Sequence, residues 1–92
     1  MSNRNERNRN RTTKRLTKLF GPDARVTWNN RVACIWSPAF QRQDVYARAE
    51  GMQWHLMCPT YEFAWTGRRL LDGINQLKTL QLINPIDNFI EV

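Results

Sequence analysis

The sequence predicts an α+β fold: an N-terminal basic helix, a small antiparallel β-sheet of hairpins, and a helix packed across one face of that sheet. Three observations predict it. Cations recur at helical spacing over the first twenty residues, up to Gly21-Pro22. Short apolar or alternating runs separated by turn residues fill positions 25–65. Leu70, Leu71, Ile74 and Leu77 then return to the spacing of an amphipathic helix. Strands in one block, with helices before and after them, make α+β the natural architecture.

The first element is the most strongly marked. Arg4, Arg7, Arg9, Arg11, Lys14, Arg15 and Lys18 face a single acid, Glu6. On a wheel of about 100° per residue, all of these cations except Arg9 fall within an arc of roughly 100°. Leu16, Leu19 and Phe20 occupy a different arc beside it, so one face suits phosphates and the other can pack on a body. Asn3 and Glu6 have the spacing of a capping box, and Lys14, Arg15 and Lys18 lie near the end where the helix dipole favours cations. Gly21 is suited to a left-handed closing residue, and Pro22 prevents continuation. Asn3, Asn5, Asn8 and Asn10 oppose helix formation by about 0.6 kcal/mol each, so in isolation the segment up to about Asn10 is expected to fray.

Residues 25–28 and 31–36 are β-prone runs on either side of Asn29-Asn30, a pair suited to a tight hairpin turn. Ser37-Pro38 breaks the second run. Residues 38–50 admit two readings. Ser37 as cap, Pro38 at the first helical position and Gly51 at the end would make a short helix. Alternation of Val45, Ala47 and Ala49 with Tyr46 and Arg48 would make a strand, and an extended segment over roughly 44–50 is preferred. Residues 52–58 and 61–65 form a second hairpin around Pro59-Thr60, expected at the centre of the sheet, with Tyr61, Phe63 and Trp65 on one face. A helix is expected over roughly Gly67 to Leu80. Gly73 within it costs about 1 kcal/mol relative to Ala, which points to a close contact there. Asn84-Pro85 ends the helix, and the apolar tail from Ile86 to Val92 is expected to dock as an edge strand or lid.

At 92 residues the chain is expected to form one domain, divided into a basic helical arm (1–20) and a compact α+β body (21–92). Trp28, Trp36, Trp54 and Trp65 are expected mainly in the core, with a base-stacking platform as the alternative use of an exposed pair. Cys34 and Cys58 are isolated, and no signal segment or run of about twenty apolar residues is visible, so a reduced, cytoplasmic protein away from membranes is expected.

Charge carries most of the functional information. The formal net charge is +6, yet residues 21–92 hold seven cations and seven carboxylates, so the excess lies in the arm. A neutral body with a cationic arm points to a polyanion. Catalytic signals are missing: His55 is the only histidine, no nucleophile has a recognisable base, and no carboxylate pair is spaced for acid–base work. Cys34, Cys58 and His55 are a poor ligand set, and there is no phosphate-binding glycine loop. No enzyme, metal or cofactor is therefore expected. Arg68-Arg69, at the start of the second helix, form a second candidate anion contact; alternatively Asp72 balances them at helical spacing. The apolar arc of Leu16, Leu19 and Phe20 is too short for a membrane anchor.

Residues 4–18 resemble the arginine-rich motifs of phage antiterminators, which fold as helices on hairpin RNA. In size, in its single compact domain and in its missing active site, the chain also resembles in type the small anti-CRISPR proteins of phages. Those bind RNA-guided surveillance complexes and block target-DNA pairing. The second resemblance implies a non-enzymatic, monomeric inhibitor that docks on a nucleoprotein complex, with the arm on RNA or DNA phosphates and the aromatic body on protein. The first implies an RNA- or DNA-binding regulator. In both, Arg4, Arg7, Arg9, Arg11, Lys14, Arg15 and Lys18, with Arg68 and Arg69, are the expected nucleic-acid contacts.

Overall fold

A computed structural model describes the backbone of residues 3–83 and the side chains from Asn8 to Ile83. The tail expected to dock over 86–92 lies outside the described residues, as do the side chains of Arg4 and Arg7. The order of elements is α1 (Asn3–Phe20), β1 (Arg25–Asn29), β2 (Val32–Trp36), β3 (Val45–Glu50), β4 (Gln53–Cys58), β5 (Phe63–Gly67) and α2 (Leu70–Ile83). The strands form one antiparallel meander in the order β1-β2-β3-β4-β5. The fold is α+β.

Turn chemistry explains the connections. Gly21 closes α1 at φ +111° and donates its N–H to the Thr17 carbonyl at 3.0 Å. Asn29 pairs with Val32, so the first hairpin turns through Asn30-Arg31, one residue later than the sequence predicts, with Asn30 at φ +58°. Gly51 turns the β3–β4 hairpin at φ +62°. Residues 45–50 are a strand. The helical signal at Ser37-Pro38 yields only a 3-10 turn, Pro38–Phe40, capped by the Ser37 hydroxyl.

Three further features differ from expectation. The centre of the sheet is β3, and β5 is an edge, because the meander places strands in chain order. Tyr61 belongs to a 3-10 turn, Pro59–Tyr61, so only Phe63 and Trp65 share a strand face. The second helix begins at Leu70, because Gly67 still pairs with Trp54 as part of β5.

Both helices contribute to one core against one face of the sheet. Leu16 and Phe20 of α1 and Leu70, Ile74 and Leu77 of α2 meet Ala33, Ile35, Val45, Ala47, Leu56 and Cys58. Phe20 and Phe40 pack edge to face at 4.8 Å. Trp65 lies between two glycines. A Cβ at Gly73 would sit 2.4 Å from its Cε3, and one at Gly67 would sit 2.5 Å from its Cζ2. The close contact expected at Gly73 is therefore present, with an indole on the other side. The opposite sheet face carries Thr27, Cys34, Tyr46, Met57 and Ala64 in one register row, and neither helix covers it.

Candidate nucleic-acid interface

Residues Arg9, Thr13, Leu16 and Phe20 recur at helical spacing and form the inner face of α1. Leu16 and Phe20 are 0% and 1% exposed. Thr13 Oγ1 accepts a hydrogen bond from Trp28 Nε1 at 2.8 Å. Arg9 donates to the Asn30 carbonyl at 2.8 Å, and its guanidinium lies 5.7 Å from the centre of the Trp28 ring. At the other end, the Ser37 hydroxyl donates to the Phe20 carbonyl at 2.6 Å. The helix is thus fastened from its second turn to its last. Arg9, the one cation outside the stripe, is turned toward the body and helps to hold α1 in place.

The stripe points the other way. Arg11, Lys14, Arg15 and Lys18 are all exposed, and among the described residues none makes an ion pair. Their arc is centred roughly opposite that of Arg9, Leu16 and Phe20. The arrangement holds cations at fixed spacing against solvent without neutralising them. Their mutual repulsion favours a polyanion at close range. By backbone position Arg4 and Arg7 belong to the same stripe.

Arg68 and Arg69 are exposed in the link between β5 and α2 rather than in the first turn of the helix. The Arg69 carbonyl accepts the Asp72 N–H at 3.0 Å, and neither guanidinium pairs with Asp72. The pairing of Gly67 with Trp54 sends both arginines out at the same end of the sheet as the Asn30-Arg31 turn. They leave from the opposite edge, four strand spacings or about 19 Å from β1. The two sets of cations therefore share an end of the molecule without forming one stripe.

Between α1 and that end of the inner sheet face runs a groove of about 430 Å³. Trp28 and Trp54 form its floor, with Asn8, Thr12, Asn30 and Arg31 around it. The four tryptophans, alike in sequence, have distinct environments. Trp65 is sandwiched between Gly67 and Gly73, and Trp36 lies on the far face under Arg25, 5.4 Å from its guanidinium. Trp28 is bonded to α1. Trp54 is half-buried, and its N–H has no partner among the described residues and is not buried.

Further polar chemistry lies on the uncovered face. His55 Nε2 lies 3.2 Å from Glu50 Oε1, which also accepts from Arg48 at 3.1 Å, and His55 Nδ1 lies 3.1 Å from Thr66 Oγ1. No local motif showed these partners, because β3, β4 and β5 supply them through register. Such exposed pairs contribute only about 0–1 kcal/mol. Burial pushes the Cys34 and Cys58 thiols above their ordinary value of 9.0, with Asp44 adding to both. Among the described residues, no cluster of three or more His, Cys, Asp or Glu could hold a metal ion, and no helix is long and apolar enough to cross a membrane. No protein family, no characterised protein and no solved structure matches this chain.

Proposed function

We propose that the chain is a non-enzymatic, phage-type inhibitor that docks on a nucleoprotein complex. It lays α1 along RNA or DNA phosphates, sets the folded body against protein, and blocks binding of the target nucleic acid. The observation that carries this reading is the two-sidedness of α1. Its inner face is committed to the core, while Arg11, Lys14, Arg15 and Lys18 are exposed and make no ion pair among the described residues. A helix already ordered by packing avoids the entropy loss that a disordered arm would suffer on binding. Arginine forks at fixed positions can each grip a phosphate through two N–H groups. The open sheet face, where Met57 is 47% exposed, supports a protein contact on the other side of the body.

Binding of labelled RNA and DNA, followed by anisotropy across about 50–200 mM salt, tests the nucleic-acid contact. Each neutralised phosphate contributes a slope of about −0.9 on duplex DNA and −0.7 on a single strand. Replacing Arg11, Lys14, Arg15 and Lys18 together by Ala should flatten the slope by about 3–4 and leave the melting temperature almost unchanged. Wild-type affinity in that variant would refute the reading. The unbroken course of α1 over Asn3–Phe20 also favours a second reading, a regulator that grips free RNA or DNA like an arginine-rich motif. Tight, nuclease-resistant capture of an assembled RNA-guided complex, with only weak binding to free nucleic acid, distinguishes the inhibitor from that regulator.

A further inference from the structure

We propose that the groove beside α1 takes one unpaired nucleobase of the bound strand, stacked on Trp54, so that the protein favours single-stranded nucleic acid. This rests on the nucleic-acid reading above and adds to it a site and a ligand class.

The inner sheet face is covered by helices over most of its area, but at the Asn30-Arg31 end a groove of about 430 Å³ remains open. That volume lies in the range of small-ligand sites, roughly 300–1,000 Å³. Of the two indoles on its floor, Trp28 is already engaged by Thr13 and Arg9. Trp54 packs in part against the core and its remaining surface lines the groove; among the described residues it has no aromatic, cation or hydrogen-bonding partner, and its N–H is not buried.

Charge selects the ligand. Paired indoles can also cage a cation, but among the described residues this groove is lined by Arg9 and Arg31 and by no carboxylate. A cationic guest is repelled, whereas an aromatic one that carries phosphate is attracted. The amides of Asn8 and Asn30 offer both donors and acceptors to the edge of a base. Position joins the groove to the stripe. On the wheel, Asn8 and Thr12 lie on the flank between the inner face and the Arg11–Arg15 side of the stripe, within about one helical turn of 5.4 Å. A strand whose phosphates rest on Arg11 and Arg15 can therefore drop a base into the groove, while a base held in a duplex cannot enter it.

The test uses the full chain, a short oligouridylate and an abasic oligomer of the same length and charge. Stacking predicts that the wild-type protein prefers the base-containing strand by about 5- to 150-fold per stacked base. Trp54→Leu should collapse that ratio toward one, and Trp54→Phe should retain most of it; melting curves of both variants establish that they are folded. The wild-type ratio requires no variant, so a folding defect cannot hide the answer. Equal wild-type affinity for the two oligomers, with Arg11→Ala/Arg15→Ala weakening both, overturns the groove and leaves the helix reading intact. No binding to either oligomer at low salt overturns both. Uridine monophosphate that competes as well as the oligomer, mole for mole, overturns the assignment to a strand.

Discussion

Replacing Gly73 by alanine opposes two effects of known sign. Gly73 lies within α2, where alanine is favoured over glycine by about 1 kcal/mol. Its added Cβ, however, would lie 2.4, 2.6 and 2.9 Å from Cε3, Cδ2 and Cζ3 of Trp65. Carbon atoms pack best at about 3.5–4.0 Å, so the helix and the indole must separate by about 1 Å. Trp65 has little room to retreat, because the other part of its ring lies against the Gly67 backbone. The helix must lift, loosening Leu70, Ile74 and Leu77, each 0% exposed. Overpacking of this kind costs about 1–3 kcal/mol. The expected net loss is about 1 kcal/mol, read as a drop of about 4–8 °C in Tm by circular dichroism. In a Trp65→Leu background the clash is gone and helix propensity remains, so the same substitution should stabilise by about 1 kcal/mol. A stabilising Gly73→Ala in the wild-type chain, or the same effect in both backgrounds, would refute the reasoning.

Two further predictions concern buried groups, one at the end of α1 and one in β4. Ser37 is 2% exposed and its hydroxyl donates to the Phe20 carbonyl, so Ser37→Ala leaves a buried acceptor unpaired. Urea denaturation should show a loss of about 1–3 kcal/mol, and a change below about 0.5 kcal/mol would mean that water replaces the hydroxyl. Burial, the largest influence on Cys58, raises its thiol above 9.0, only partly offset by backbone hydrogen bonds from Tyr61 and Thr60. The folded state then holds the proton more tightly than the unfolded one. The Cys58 contribution to stability is fully present below about pH 9 and is lost as pH rises through the folded value. Iodoacetamide should label Cys58 more slowly in the native protein than in urea, and equal rates would contradict its burial.

Local signals were legible where the physics is local. The stripe on α1 follows from 3.6-residue spacing alone, and Gly21 and Gly51 mark turns that only glycine enters freely. The short strands are read from alternation, and Gly73 from its anomaly inside a helix. What went astray was set by pairing. Asn29 extends β1 because Val32 is opposite it, Gly67 joins β5 because Trp54 is opposite it, and the centre of the sheet passes to β3 because the meander is consecutive. His55 looked partnerless because Glu50 and Thr66 come from neighbouring strands.

The candidate interface divides in the same way. By itself the sequence determined an α+β chain with its excess charge on one helix, because charge and periodicity are properties of neighbours along the chain. Tertiary packing set which way that helix faces, that Arg9 serves as an anchor, that Arg68 and Arg69 leave from the far edge of the sheet, and which groove-lining tryptophan has an N–H without a partner among the described residues. The reason is physical: four identical indoles differ only in what packs on them. That is decided by strand register and by the burial of Leu16 and Phe20, which bring distant residues into contact.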